Sequence, residues 1–432
     1  MAHDSSVPSS IPFRVLDSAS GATKILIAVL VALGILAAVL AVGTPERLWQ
    51  SLLFNWLFWS SVAIGMVMFA VALRLSNADW AWSIRRFALG GAAFLPISFV
   101  LLPVVLFGGH EHFFHHWLHV EGDPVIDAKR AWLNWPGLAI RELFVVAVVY
   151  ALALVFAYYS VRPDVYGVKN TRNASFYERL TRGFRGVEEE AARSWKLTAR
   201  IGAVLGIVFA VFWGVVAVDL AMSLSPHWFS TMFPVAFFWA AFHSGVAATT
   251  IAAVFYRSRL GLQDYITRSQ YHDFGKMLFA FSVFWMYLNW SQYIVIWYGQ
   301  LPWEQDFFVQ RFNEPFGPLS AAVVILVFVM PLLGLLTRAP KMVPQVLVFF
   351  ALSILVGLWI ERFLLVYPSL WEEETLPLGI PEIGIGLGFF GLFVAAYTWY
   401  LTRVPVLPSP ATLAAREPTL VEVQVPATAT ER

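Results

Sequence analysis

The sequence predicts an all-α, polytopic membrane protein. Three observations carry that expectation. Hydrophobic residues make up 59% of the 432 positions and charged residues only 13%, against roughly a quarter charged in soluble domains. The apolar residues fall into ten stretches, each near or above the ~20 residues that cross a bilayer core as a helix. Strict apolar–polar alternation is absent, which argues against a β-barrel. The mean hydropathy of +0.68 agrees.

The ten predicted spans are Ile25–Val42, Leu48–Leu73, Phe87–Phe107, Leu138–Tyr159, Ile201–Met222, Trp228–Phe255, Met277–Tyr298, Leu319–Leu336, Val343–Tyr367 and Ile383–Leu401. Of the 29 Lys and Arg, 23 fall in the two tails and the loops 2–3, 4–5, 6–7 and 8–9. The opposite loops hold four, and Arg141 and Arg362 lie within spans. The positive-inside rule then puts both termini in the cytoplasm. Residues 1–24 read as a cytoplasmic tail before an uncleaved first span, 25–402 as the membrane domain, and 403–432, rich in Pro, Ala and Thr, as a disordered tail. Within the long loop 160–200, the stretch 184–197 is a candidate amphipathic surface helix or a solvated connector.

Composition excludes several chemistries. With no cysteine, the chain cannot ligate an iron–sulfur cluster through thiolates, attach a c-type haem, form a disulfide or use a thiol nucleophile. A net charge of +1 predicts no nucleic-acid partner. A b-type haem would need facing axial ligands, and His243 is the one histidine in mid-span.

Ionisable groups inside spans are costly and are usually paired or functional. Here they are Arg141 and Glu142 in span 4, Asp219 in span 5, His243 in span 6, and Glu361 and Arg362 in span 9. All but His243 fall toward the Lys/Arg-poor side, about 5–9 Å in at 1.5 Å per residue. Either the two guanidiniums pair with the three carboxylates and pin helices together, or one carboxyl exchanges protons with a quinol or the outer phase. Asp219, His227, Arg141 and Glu142 are the candidate quinone-binding set, because the polar hairpin Asp219–Phe233 follows span 5 directly. His227 could hydrogen-bond a quinone carbonyl, or simply anchor the interface. A candidate proton route runs through Asp219, Glu361, His243, Thr250, Ser282, Asn289 and Tyr293. Thr250 shares a helix face with His243, and the last three form a polar stripe on span 7. Such stripes also hold membrane helices together. Five histidines in residues 110–119 invite a metal hypothesis, but the intervening residues are apolar and a partner-contact loop is the expectation.

These residues resemble a known family. Asp219 with Met222-Ser-Leu-Ser-Pro-His-Trp-Phe-Ser-Thr231, His272-Asp-Phe-Gly-Lys276, Phe279-Ala-Phe281, Phe284-Trp285, Ser291-Gln292, Ile296-Trp-Tyr298, and Glu361-Arg362 with Tyr367-Pro368 are similar to the membrane subunits of bacterial alternative complex III. These belong to the polysulfide-reductase membrane-subunit-like (NrfD-like) group. The likeness covers roughly residues 40–400 and is greater to the smaller of that complex's two such subunits. It implies two four-helix bundles, spans 2–5 and 6–9, with peripheral helices 1 and 10. It implies a quinol-oxidising electron-transport complex in the respiratory chain of a bacterial inner membrane, delivering electrons to cytochrome c or to a terminal oxidase. The implied partners are a sister NrfD-like subunit, an iron–sulfur protein and c-type cytochrome subunits, which would carry the clusters and haem c. This chain would ligate no cofactor itself, and would serve as a scaffold with proton conduction, or with a quinone site of its own. An independent ion or solute transporter is the remaining class; helices broken in corresponding places of two halves would favour it.

Overall fold

A computed structural model describes residues 11–168, 172–371 and 373–415; the outermost parts of both predicted tails, 1–10 and 416–432, lie outside the described residues. The described chain is helical, without strands. The ten apolar stretches become α1 (Gly21–Leu40), α2 (Pro45–Leu75), α3 (Arg85–Phe113), α4 (Trp135–Val161), α5 (Val187–Leu220), α6 (Phe233–Arg259), α7 (Arg268–Gly299), α8 (Gly317–Gly334), α9 (Pro344–Val366) and α10 (Ile380–Leu401). Among the described residues nine helices are long and apolar enough to cross a membrane. The tenth expected span lies in α7, which at 32 residues is about 48 Å long but more polar, because Ser282, Asn289, Ser291 and Gln292 interrupt it. The chain is therefore a multi-pass membrane protein.

Helices α2–α5 pack as one four-helix bundle and α6–α9 as a second; α1 and α10 lie against each other on the outside. Helix α2 is the hub, touching α3, α5, α6, α9 and α10. Of its most apolar stretch, 89% is buried, so this helix is shielded from lipid by protein. That explains why it tolerates Gln50, Ser51, Asn55, Ser60 and Ser61 in its interior: each is buried among neighbours that can bond it or pack on it. Ser60, for example, shares a 2.6 Å hydrogen bond with Ser98, and Ser98 a 2.9 Å bond with Tyr150.

The two bundles meet where α2 crosses α6 backbone to backbone. A Cβ on Gly65 would stand 1.8 Å from the Ala241 carbonyl oxygen, and one on Gly245 would stand 2.0 Å from the Gly65 carbonyl carbon. The pair α1–α10 is built the same way: a Cβ on Gly34 would meet Gly388 Cα at 2.4 Å, and Ala37 fills the space over Gly384. Small residues let membrane helices approach closely enough for dispersion to hold them, since lipid supplies no hydrophobic drive between them.

Three boundaries differ from the sequence expectation. The stretch 184–197 is no separate surface helix; from Val187 it continues without a break into α5, which runs 34 residues. Helix α6 begins at Phe233, not Trp228, so His227 sits in the preceding loop and does not open a span. Residues 403–415, expected to begin a disordered tail, instead fold back onto the bundle: Val404, Val406, Leu407 and Leu413 are buried. The backbone N–H of Ser409 and the hydroxyl of Thr412 donate to Asp164 at 2.8 and 2.5 Å, and Asp164 also pairs with the buried Arg86.

Because the α2–α6 contact leaves no room for a methyl group, Gly245→Ala should cost about 1–3 kcal/mol through overpacking. Gly206→Ala, on α5 with open space around it, should not. Thermal denaturation of the purified protein in detergent reads the difference: the first variant melts lower and the second does not.

Candidate functional site

The hairpin after α5 is a compact turn. Ser223 Oγ donates back to the Asp219 carbonyl at 2.5 Å, closing the helix, and Pro226 follows. Trp228 then stacks on Phe307 with ring centroids 3.7 Å apart and planes 7° apart. Phe307 belongs to the short helix Pro302–Phe312, so the hairpin ties the first bundle to the loop between α7 and α8. Ser225 Oγ donates to Ser369 Oγ at 2.8 Å and fastens it to the end of α9 as well.

Asp219 itself points into the first bundle and is fully buried. Arg141 Nε donates to one carboxylate oxygen at 2.6 Å and Trp132 Nε1 to the other at 2.8 Å. The guanidinium also lies 3.9 Å over the Trp132 ring. Glu142 is buried beside them, and neither of its oxygens has a hydrogen-bond donor; the ionisable groups beside it are Asp219 and Arg141. The result is two carboxyls and one guanidinium in one buried cluster. Trp132 also lines a cleft of about 370 Å³ above the hairpin, so it touches both the cluster and the Lys/Arg-poor face.

His227, the fourth member of the expected quinone set, is not in this cluster. It is half-exposed, and its Nε2 lies 2.7 Å from Asp123 in the loop between α3 and α4. Asp123 also caps the short helix Pro124–Ala128. The Ile126 backbone N–H first, and His227 second, hold the Asp123 carboxyl below its ordinary value. This contact is present at neutral pH and is lost as pH falls through that lowered value, because protonation removes the acceptor.

The second bundle holds Glu361, Arg362 and His243, the other intramembrane ionisable groups that hydropathy marks. Trp285 Nε1 donates to Glu361 Oε1 at 2.9 Å, and Arg362 Nη1 lies 3.5 Å from Oε2. Arg362 Nη2 donates to the Phe237 carbonyl at 3.0 Å, with the guanidinium 3.8 Å over the Phe237 ring. Next to them is Arg311, which hydropathy assigns to a loop and which the sequence does not mark as a site residue. It is buried, lies 3.3 Å over Phe307, and donates to the Phe307 carbonyl at 2.8 Å and to Ser369 Oγ at 2.7 Å. Glu361, Arg362 and Arg311 line one wall of a cavity of about 390 Å³, whose other walls are largely aromatic, including Phe237, Trp285, Tyr293 and Phe308.

The residues of the expected proton route fall into separate groups. Asn289, Tyr293 and Glu361 line this cavity. His243 is buried with Ser282 Oγ 3.5 Å from Nε2, and its Nδ1 has no hydrogen-bond partner. Thr250 bonds the Val246 carbonyl of its own helix, and Asp219 lies in the other bundle. No hydrogen-bonded chain joins the seven among the described residues.

The histidine loop is dispersed. His110 stacks on Trp135 at 4.4 Å, His116 bonds the Ser369 carbonyl at 3.0 Å and His119 meets Glu111 at 2.8 Å. No group of three His, Asp or Glu converges as metal ligands among the described residues.

Glu382 also escapes the hydropathy pattern, which puts it just outside span 10. It lies in the first turn of α10 and is fully buried. Arg47 of α2 grips it with two hydrogen bonds of 3.0 and 2.7 Å, and Tyr367 donates to it at 2.8 Å. The sequence does carry a signal for this pair: Arg47 is a lone cation at the start of span 2, on the Lys/Arg-poor side.

Neither a comparison with protein-family models nor one with curated proteins finds a match.

Removing one partner of a buried ion pair strands the other, at a cost of about 3–5 kcal/mol. Arg141→Met should therefore destabilise the protein more than Asp219→Asn, which keeps a polar partner for Trp132. The double variant should be more stable than the sum of the two losses predicts. A double-mutant cycle by denaturation in detergent measures that coupling.

Proposed function

We propose that the chain is an integral membrane subunit of a quinol-oxidising respiratory complex, contributing a scaffold and a proton-exchanging group near the Lys/Arg-poor face. The observation that carries this reading is the Asp219–Arg141–Glu142 cluster. One guanidinium balances one carboxylate, so a second buried carboxyl beside them makes a place where a proton can be held and passed on. Trp132 links that place to the cleft above it. The hairpin is one of the segments whose residues resemble the alternative complex III subunits, and its outward position suits contact with partner chains that carry haem c and iron–sulfur clusters. On this reading both termini are cytoplasmic and the chain ligates no metal.

A second reading has its own support. The cavity of about 390 Å³ in the second bundle offers flat aromatic walls, the Arg311 and Arg362 guanidiniums and the Glu361 carboxylate. Those are the groups that hold a quinone ring: apolar faces for the ring, donors for a carbonyl and an acceptor for a hydroxyl. A quinone site in this chain is better supported there than at Asp219, where Arg141 and Trp132 already occupy both oxygens. Transport as an independent activity has less support: two helices are interrupted, α3 by a 3-10 turn at Gly90–Ala93 and α8 by a π turn at Ile325–Val329, but they hold different places, second in one bundle and third in the other.

The test is quinol-driven reduction of cytochrome c by the purified complex carrying single substitutions. Asp219→Asn should slow turnover or uncouple proton release more than His243→Ala does. If the second bundle holds the ring, Glu361→Gln should raise the KM for quinol. Wild-type behaviour in all three would leave the chain a scaffold only.

A further inference from the structure

On the Lys/Arg-rich face, far along the helices from the clusters above, two cavities adjoin. The first, of about 260 Å³, lies where the start of α1, the end of α10 and the segment after α4 meet. It is lined by three cations, Lys24, Arg172 and Arg403, with one carboxylate, Asp17. The fold brings these together by named contacts: Asn173 Nδ2 donates to the Thr402 carbonyl at 2.7 Å, which sets Arg172 beside the end of α10. Arg403 lies 4.7 Å over the Trp399 ring, and its Nη1 reaches only its neighbour Thr402 at 3.4 Å. Lys24, Arg172 and Arg403 form no ion pair with a described carboxylate, Asp17 included.

The second cavity, of about 570 Å³, is apolar, with Pro96, Leu154, Ala157 and Phe176 among its walls. It runs beside the membrane portions of α3, α4 and α10. The two cavities share Ala395 and Trp399. Trp399, packed edge-on against Phe176 with centroids 6.1 Å apart, stands at their boundary. A tryptophan at that level is what the border between headgroup and acyl region selects.

We propose that these paired cavities form a binding site for one anionic phospholipid, its phosphate among Lys24, Arg172 and Arg403 and an acyl chain in the apolar cleft. The charge and the geometry both argue for this occupant. Three cations against one carboxylate leave an excess of positive charge for a headgroup to neutralise. A cationic pocket that adjoins a lipid-depth apolar cleft across Ala395 and Trp399 fits a molecule with a charged head and a hydrocarbon tail. Basic pockets between membrane helices take such headgroups, and each Lys or Arg adds to the attraction. A bound lipid would seal α1 and α10 to the first bundle at the end opposite the Glu382–Arg47 knot. This proposal stands apart from the quinol reading and does not depend on it.

Native mass spectrometry of the full-length protein in neutral detergent tests it, with phosphatidylglycerol and phosphatidylcholine titrated separately. The wild type should retain phosphatidylglycerol at least about tenfold more tightly than phosphatidylcholine. The triple variant Lys24→Gln, Arg172→Gln, Arg403→Gln should lose that preference, and Arg403→Lys alone should keep most of it. Ala157→Trp, which fills the cleft and leaves the cations in place, should weaken retention of phosphatidylglycerol. Excess inorganic phosphate should not displace the lipid. An undiminished preference in the triple variant, unchanged retention in Ala157→Trp, or displacement by phosphate alone would each overturn the proposal, the last by making this a site for a bare anion.

Discussion

A charge inside a bilayer has to meet its partner within the protein, and this chain is organised around that constraint. Each bundle solves it separately near the Lys/Arg-poor side. In the first, α4 and α5 are joined by Arg141 and Asp219. In the second, Glu361 and Arg362 on α9 reach Trp285 on α7 and Phe237 on α6. Glu382 and Arg47 then bind the peripheral α10 to the hub α2. On the other face Arg86 and Asp164 draw the C-terminal segment onto the bundle. Every one of these contacts crosses between elements distant in sequence or between neighbouring helices, so the ionic groups fix helix order as the glycine contacts fix helix distance.

Pairing also marks what is left over. Glu142 has no donor of its own, and Arg311 is a buried cation that no described carboxylate bridges. The first sits where a proton could be handed between two acids; the second lines a cavity with aromatic walls. Two bundles of similar construction thus present different chemistry: Trp132 stands between the first bundle's acids and their cleft, whereas Glu361 itself lines the cavity of the second. That division is why the proposed proton exchange and the alternative ring site fall in different halves of the chain.

Much of this is legible in the sequence, for physical reasons. Helix existence follows from apolar length, so all ten stretches are found as helices. That Arg141 and Arg362 meet carboxylates among Glu142, Asp219 and Glu361 follows from the cost of an intramembrane charge, but which carboxylate each one takes does not. What escapes depends on three-dimensional placement. Glu382 sits at a helix start behind Gly-Ile-Pro, and only the packing of α10 against α2 buries it. Arg311 lies in a loop by hydropathy, yet the helix Pro302–Phe312 folds it under the bundle. Nearness in sequence groups His227 with Asp219, but Asp123, from a loop about a hundred residues earlier, reaches it first. The ordered run 403–415 is hidden by its Pro and Ala content; its anchors are Asp164 and a few buried aliphatic side chains.

Membership of a quinol-oxidising assembly is open to a direct test, affinity purification of this chain from the membranes of the organism that makes it. The c-type haem absorbance, iron–sulfur signals and quinol-dependent reduction of cytochrome c or an oxidase should travel with the tagged chain through mild detergent. A chain that purifies alone, colourless, while the membranes' quinol-oxidising activity elutes elsewhere, would contradict it.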